Sequence, residues 1–98
     1  MLNGLNLSRN WRVIIDNWPQ KQLRRIPTND ASRISQAIDE MEINPFAGDI
    51  QKIGGEETAW RRRVGNYRIL FDIYADRKIV DITDIDRRTS KSYEYHRR

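Results

Sequence analysis

The stretch WRRRVGNYRILFDI, residues 60–73, decides how this chain folds. Gly65-Asn66 in its middle is a two-residue hairpin signal between two apolar, β-prone runs. Such a turn sets Val64 opposite Tyr67. Pairing outward, one face of the hairpin then holds Arg63 opposite Arg68, Arg61 opposite Leu70 and Ala59 opposite Asp72. The other face holds Val64 with Tyr67, Arg62 with Ile69 and Trp60 with Phe71. This second face is mostly apolar and should pack on helices, with Arg62 snorkelling at its edge. The first face gathers Arg61, Arg63 and Arg68. Arg63 and Arg68 are directly opposed like charges, which destabilises a sheet, so the pattern invites a functional reason. Three guanidiniums on a rigid sheet face present forked donors suited to phosphate oxygens. The plainer alternative is that acids neutralise them. Asp72 lies on the same face near Arg61, but one acid cannot neutralise three arginines.

Upstream, residues 11–16 (WRVIID) read as a first strand with Trp11, Val13 and Ile15 on one face. Asp16 or Asn17 offers an N-cap and Pro19 suits a first helical turn. A short helix to about Arg25 is stopped by Pro27. Thr28, Asn29 or Asp30 can cap a second helix, whose apolar positions Ile34, Ala37, Ile38 and Met41 follow i, i+3, i+4, i+7. Residues 46–58 read as a loop. After the hairpin, residues 78–86 supply a last strand. The order β-α-α-β-β-β predicts an α+β domain: a mostly antiparallel four-stranded sheet with a helical hairpin packed on one face.

The 98 residues fit one small domain over 1–98, with an N-terminal segment 1–10 and a basic C-terminal tail 87–98. Hydrophobic residues, at 38%, suffice for one core between a sheet and two helices. The absence of cysteine excludes disulfides and thiolate metal sites, and the single histidine, His96, argues against a histidine zinc site. No apolar run approaches membrane-spanning length, and residues 1–10 (MLNGLNLSRN) lack a signal-peptide core. The expectation is a soluble cytoplasmic protein with no membrane partner. Residues 1–57 carry 7 basic and 8 acidic side chains, whereas residues 58–98 carry 11 and 6. All of the net charge of +4 therefore comes from the second half. That asymmetry suits a polyanion, RNA or DNA first.

WRRRVGNYRILFDI, then IVDITDIDRR (residues 79–88) and a tyrosine-bearing tail, resembles the RelE/ParE superfamily of type II toxin–antitoxin toxins. AIDEMEINPFAGDIQKIGG (residues 37–55) looks like that family's second helix and the loop after it. The likeness runs from residue 11 to residue 95, and is most specific around residues 65–71. It implies the same β-α-α-β-β-β fold and a cognate antitoxin that silences the toxin. RelE-like members are ribosome-dependent endoribonucleases that cut mRNA in the decoding site; ParE-like members poison DNA gyrase. The shared fold does not separate them.

Carried over by position, the resemblance implies a catalytic set of Arg61, Arg63, Arg68, Arg88 and a tyrosine, Tyr93 or Tyr95. Arg87 and Lys91 would add phosphate contacts. The implied reaction uses no metal and no cofactor: the 2′-hydroxyl attacks the adjacent phosphate, expels the 5′-oxygen and leaves a 2′,3′-cyclic phosphate. The sequence is compatible, since no Asp, Glu or His cluster is arranged to hold Mg²⁺. Arg61, Arg63 and Arg68 would stabilise charge on the phosphate, a contribution worth on the order of 10²–10³ in rate per donor. Arginine stays protonated, so the general base is harder to assign. Some RelE-type enzymes have lysines at these two β-strand positions, where this chain has Arg61 and Arg63. Tyr93 or Tyr95, its phenol acidified by neighbouring guanidiniums, is the alternative, and either could instead stack on a base. His96 titrates conveniently but reads as an exposed tail residue. A gyrase-directed toxin and an RNA-binding module without catalysis are the competing readings.

Overall fold

The Gly65-Asn66 turn forms as its sequence dictates. Gly65 sits at φ +58° while Asn66 keeps a negative φ, the glycine-first pattern of a II′-type hairpin. In the computed structural model, which describes residues 8–87, this hairpin joins β3 (Ala59–Val64) to β4 (Tyr67–Tyr74). The register matches the expected one at every pair, from Val64–Tyr67 to Ala59–Asp72. Before it come β1 (Arg12–Ile15), α1 (Asn17–Arg25), α2 (Thr28–Met41) and β2 (Ile50–Lys52); β5 (Ile79–Arg87) follows it. The sheet order is β1-β5-β4-β3-β2, with β1 parallel to β5 and the other pairs antiparallel.

The α+β class and the helical hairpin agree with the sequence reading, but the sheet has five strands, not four. The addition, β2, lies inside the stretch read as loop and pairs Ile50, Gln51 and Lys52 with Arg62, Arg61 and Trp60. Three residues are too few for alternation to register. Cross-strand bonds to β3 hold them in place, not local propensity. The α2 boundary also differs. Pro27 is the N-cap residue, and its carbonyl accepts from the Ala31 N–H at 2.8 Å. Thr28, Asn29 and Asp30 therefore occupy the first turn, where the Asp30 carboxylate suits the helix dipole.

The core lies between the helices and one sheet face. The predicted stripe of Ile34, Ala37, Ile38 and Met41 is buried against Tyr67, Ile69, Phe71, Ile73, Val80, Ile82 and Ile85. Trp11, Val13, Ile15, Trp60 and Val64 pack at its margin. Burying a side chain such as Ile34 or Phe71 contributes roughly 1.5–3 kcal/mol, which fixes which face of the hairpin turns inward. A β-bulge adjusts β5 to this requirement. Leu70 pairs with Asp84 and Phe71 with Ile82, leaving Thr83 as the extra residue. Its Oγ1 donates to the Leu70 carbonyl at 3.2 Å. The inserted residue lets Val80, Ile82 and Ile85 all face the core despite their uneven spacing. Where β1 ends, the Gln22 side chain takes over the β5 edge: its Nε2 donates to the Ile85 carbonyl at 2.6 Å and its Oε1 accepts from the Ile85 N–H at 2.8 Å.

Candidate nucleic-acid interface

The face of the sheet away from the helices carries the arginines. Arg61 and Arg63 project from β3 and Arg68 from β4, and all three line one small cleft of about 50 Å³. Asp49 and Gln51 complete its wall. Arg61 Nη2 donates to Gln51 Oε1 at 2.5 Å. Arg63 Nε lies 3.6 Å from Asp49 Oδ2, and its backbone N–H donates to the Asp49 carbonyl at 2.9 Å. Both side chains of that ion pair are more than half exposed, so solvent screens it heavily. Across β4 and β5, Arg68 stands opposite the buried Asp86. The cleft wall therefore carries one carboxylate, Asp49, and Asp86 follows Arg68 in the register beyond it, whereas the sequence drew attention only to Asp72. Asp49 and Gln51 were missed because β2 was missed; the alternation Gln51 out, Ile50 and Lys52 in was their only signal.

Arg62 belongs to the structure, as its register position implied. Its side chain is 12% exposed and turns to the helix side, where Nη2 meets Glu40 Oε1 at 2.6 Å and Nη1 donates to the Ala37 carbonyl at 3.4 Å. Gly48, at φ +87°, lies over it: a Cβ there would come within 2.7 Å of the guanidinium. This close approach and the left-handed backbone together explain a glycine at that position.

Arg87 is not in the arginine cleft. It pairs with Tyr67, a core-facing residue, and its guanidinium lies 5.8 Å from the Tyr67 ring centroid, on the helix side. There it lines a groove of about 380 Å³ with Trp18, Gln22 and Arg25. Arg88, Lys91, Tyr93, Tyr95 and His96 lie outside the described residues.

The same open face turns acidic further along. Asp72 sits four residues beyond Arg68 on β4, about 13 Å away along the strand. It accepts from Thr58 Oγ1 at 2.9 Å and stands opposite Asp81 of β5. Burial raises the Asp81 pKa to about 7, assisted by a hydrogen bond with the Asp16 carboxyl and by the charges of Asp16 and Asp72. Asp16 is thus the N-cap residue of α1 by position but makes no side-chain cap; its carboxyl is turned to Asp81. Tyr74, beside them, has its pKa raised, first by the Asp72 charge. This end of the face is less basic than the one bearing Arg61, Arg63 and Arg68, although Arg77 lines the same hollow as Asp81.

Comparison with known proteins bears on what such a cleft serves. Residues 9–91 match the family described as ParE toxin of type II toxin–antitoxin system, parDE. Toxin RelE3 of Methanocaldococcus jannaschii is 37% identical over 60 residues, 57% of this chain and 68% of the relative. Among solved structures, the archaeal RelE–RelB complex from Pyrococcus horikoshii OT3 superposes with a TM-score of 0.74 at 25% identity, covering 81% of this chain and 96% of that one. The RelB–RelE antitoxin–toxin complex from Methanococcus jannaschii gives 0.68 at 28% identity, covering 84% and 96%.

Proposed function

The chain belongs to the RelE/ParE superfamily and is the toxin of a type II toxin–antitoxin module, and we propose that it acts in the cytoplasm as a ribosome-dependent mRNA endonuclease. The observation that carries this reading is the meeting of Arg61, Arg63 and Arg68 in one cleft on a rigid sheet. In the reaction, the 2′-oxygen bonds to phosphorus as the bond from phosphorus to the 5′-oxygen breaks. The 2′-hydroxyl proton leaves to a base and the 5′-oxygen gains a proton, giving a 2′,3′-cyclic phosphate and a 5′-hydroxyl. Negative charge grows on the phosphate oxygens in between. Fixed guanidiniums stabilise that charge without reorganising, the most effective form of electrostatic catalysis. Their permanent protonation suits this role and excludes them as bases. Proton transfer falls to Tyr93 or Tyr95, as the resemblance implies.

An antitoxin is the expected protein partner, as in the RelE–RelB complexes that share the fold. An acidic segment of it laid over the cleft would occupy the same donors as mRNA. The match to a family described by its ParE member keeps gyrase inhibition as the second reading.

The test is mapping of mRNA 5′ ends in cells after brief induction of the chain alone, against Arg68→Ala. New ends inside translated frames, lost in the variant and lost when translation is blocked, support the endonuclease. Growth arrest with DNA breaks and no such ends transfers the assignment to gyrase.

A further inference from the structure

A row of rings and ammonium groups runs along the helix-bearing side of the sheet, separate from the arginine cleft. Phe46 stands between two tryptophans, its ring 6.0 Å from Trp11 and 5.8 Å from Trp60, near-perpendicular to both. At the two ends, Lys78 Nζ lies 5.7 Å from the Trp11 centroid and Lys52 Nζ 6.0 Å from the Trp60 centroid. Closing the core accounts for the tryptophans, which pack against it. It does not account for the other three members. Phe46 is 46% exposed, a large apolar ring left to water. Neither lysine has a carboxylate within 4.0 Å among the described residues. Glu42, whose carbonyl accepts from the Trp11 N–H, has its carboxylate engaged by Arg9 at 2.7 Å. Lys78 also stands at φ +56°, the only non-glycine residue with positive φ among those described. Glycine or asparagine is the ordinary choice there, because any Cβ crowds the backbone at positive φ. A strained position that aims a cation over a ring is a feature to explain by function.

We propose that this row is a second RNA contact, a stacking site for an unpaired segment of the RNA that the toxin engages. Phe46 offers its exposed ring surface to one base, and Lys52 and Lys78 bracket it for the neighbouring phosphates. Alternating rings and cations are the pattern by which proteins hold single strands without reading sequence. The cation–π contacts keep both ammonium groups in place while leaving N–H donors free. Because Gln51 faces the cleft and Lys52 the row, β2 links the two surfaces. The choice of RNA among polyanions rests on the endonuclease reading above; the binding surface itself does not.

The experiment uses the full chain carrying Trp18→Phe, so that emission reports Trp11 and Trp60, and a labelled ten-nucleotide RNA, fully 2′-O-methylated so that it is not cut. Anisotropy, tryptophan quenching and thermal unfolding are measured together. Phe46→Ala should weaken binding roughly 5- to 150-fold and abolish the quenching. Lys52→Ala should lower the slope of log affinity against log salt by about 0.7. Lys78→Gly should do the same while Tm holds or rises, since it relieves the backbone; a merely structural lysine would leave binding unmoved. Quenching that survives Arg61→Ala/Arg63→Ala/Arg68→Ala supports the row as a site separate from the cleft; absence of mRNA ends with the parent chain, beside that quenching, fails only the endonuclease reading. Unchanged affinity and emission in the Phe46 and lysine variants, with cleavage intact, overturns the row and spares the cleft.

Discussion

Four arginines lie within eight residues, 61–68, and the structure divides them by consequence. Arg62→Ala should unfold the domain early, while Arg61→Ala and Arg63→Ala should leave it standing and remove its function. The Arg62 side chain is 12% exposed and its partner Glu40 48%. Alanine removes two buried methylenes, about 1.6 kcal/mol. It also removes an ion pair to a half-exposed carboxylate, worth about 0.5 kcal/mol, and a long hydrogen bond to the Ala37 carbonyl of about the same size. The total is about 2–3 kcal/mol. For a domain of this length that lowers Tm by about 10–20 °C. Among the described residues Arg61 bonds to the exposed Gln51 and Arg63 pairs with an exposed Asp49, so each should cost less than about 1 kcal/mol. Thermal unfolding by circular dichroism gives the first half of the comparison. Growth arrest at a temperature where all variants are folded gives the second, with Arg62→Ala still toxic and Arg63→Ala inert. If Arg62→Ala melts with the parent while Arg63→Ala loses 10 °C or so, the division of the strand into a structural and a functional face is wrong.

Asp81→Asn tests the acidic end of the face. A carboxyl raised to about 7 in the fold holds a proton that the unfolded chain releases near pH 4. Stability from this group is therefore full below about pH 4 and is lost as pH rises through 7. The variant should gain about 1 kcal/mol over the parent at pH 8, after discounting for solvent screening, and almost nothing at pH 4, by urea unfolding at both. Gly48→Ala should destabilise by about 1–3 kcal/mol, because a Cβ both strains the backbone and displaces the Arg62 guanidinium; Arg62→Ala in the same chain should absorb part of that cost in a double-mutant cycle. Asp49→Asn removes a carboxylate from the cleft wall and should tighten binding to heparin about two- to five-fold, read from elution salt or calorimetry.

The hairpin register was fully legible because it depends on local chemistry: a glycine-first turn, then strict alternation. The α2 stripe was legible for the same reason, as each apolar position on it is buried. What escaped the sequence depends on partners far along the chain. β2 is a strand only because β3 offers it an edge, and Asp49 and Gln51 reach the cleft only through β2. Thr83 looks like any strand residue; the bulge arises because Val80, Ile82 and Ile85 must share a face. Arg87 was grouped with the phosphate ligands by proximity to Arg88, but the bulge and the register put it beside Tyr67, across the sheet from the cleft.

The structure also changes the reason for assigning function to the arginines. From the sequence, Arg63 opposite Arg68 is an uncompensated repulsion, and that apparent cost argued for a purpose. In the fold, a single row crosses the sheet in the order Asp49, Arg63, Arg68, Asp86. Its ends are carboxyl groups and its middle two guanidiniums, so the opposed pair is flanked by acids and is tolerated. Frustration therefore cannot carry the functional assignment; geometry must. An arginine has five N–H donors, and a screened carboxylate 3.6 Å from one nitrogen leaves most of them available. A phosphate entering between Arg61, Arg63 and Arg68 meets donors from two strands at once, which the flanking carboxylates do not. That distinction is open to experiment. A clamp of this kind should bind a phosphodiester far better than a chloride or an isolated carboxylate at equal ionic strength. A merely self-neutralised surface should respond to ionic strength alone.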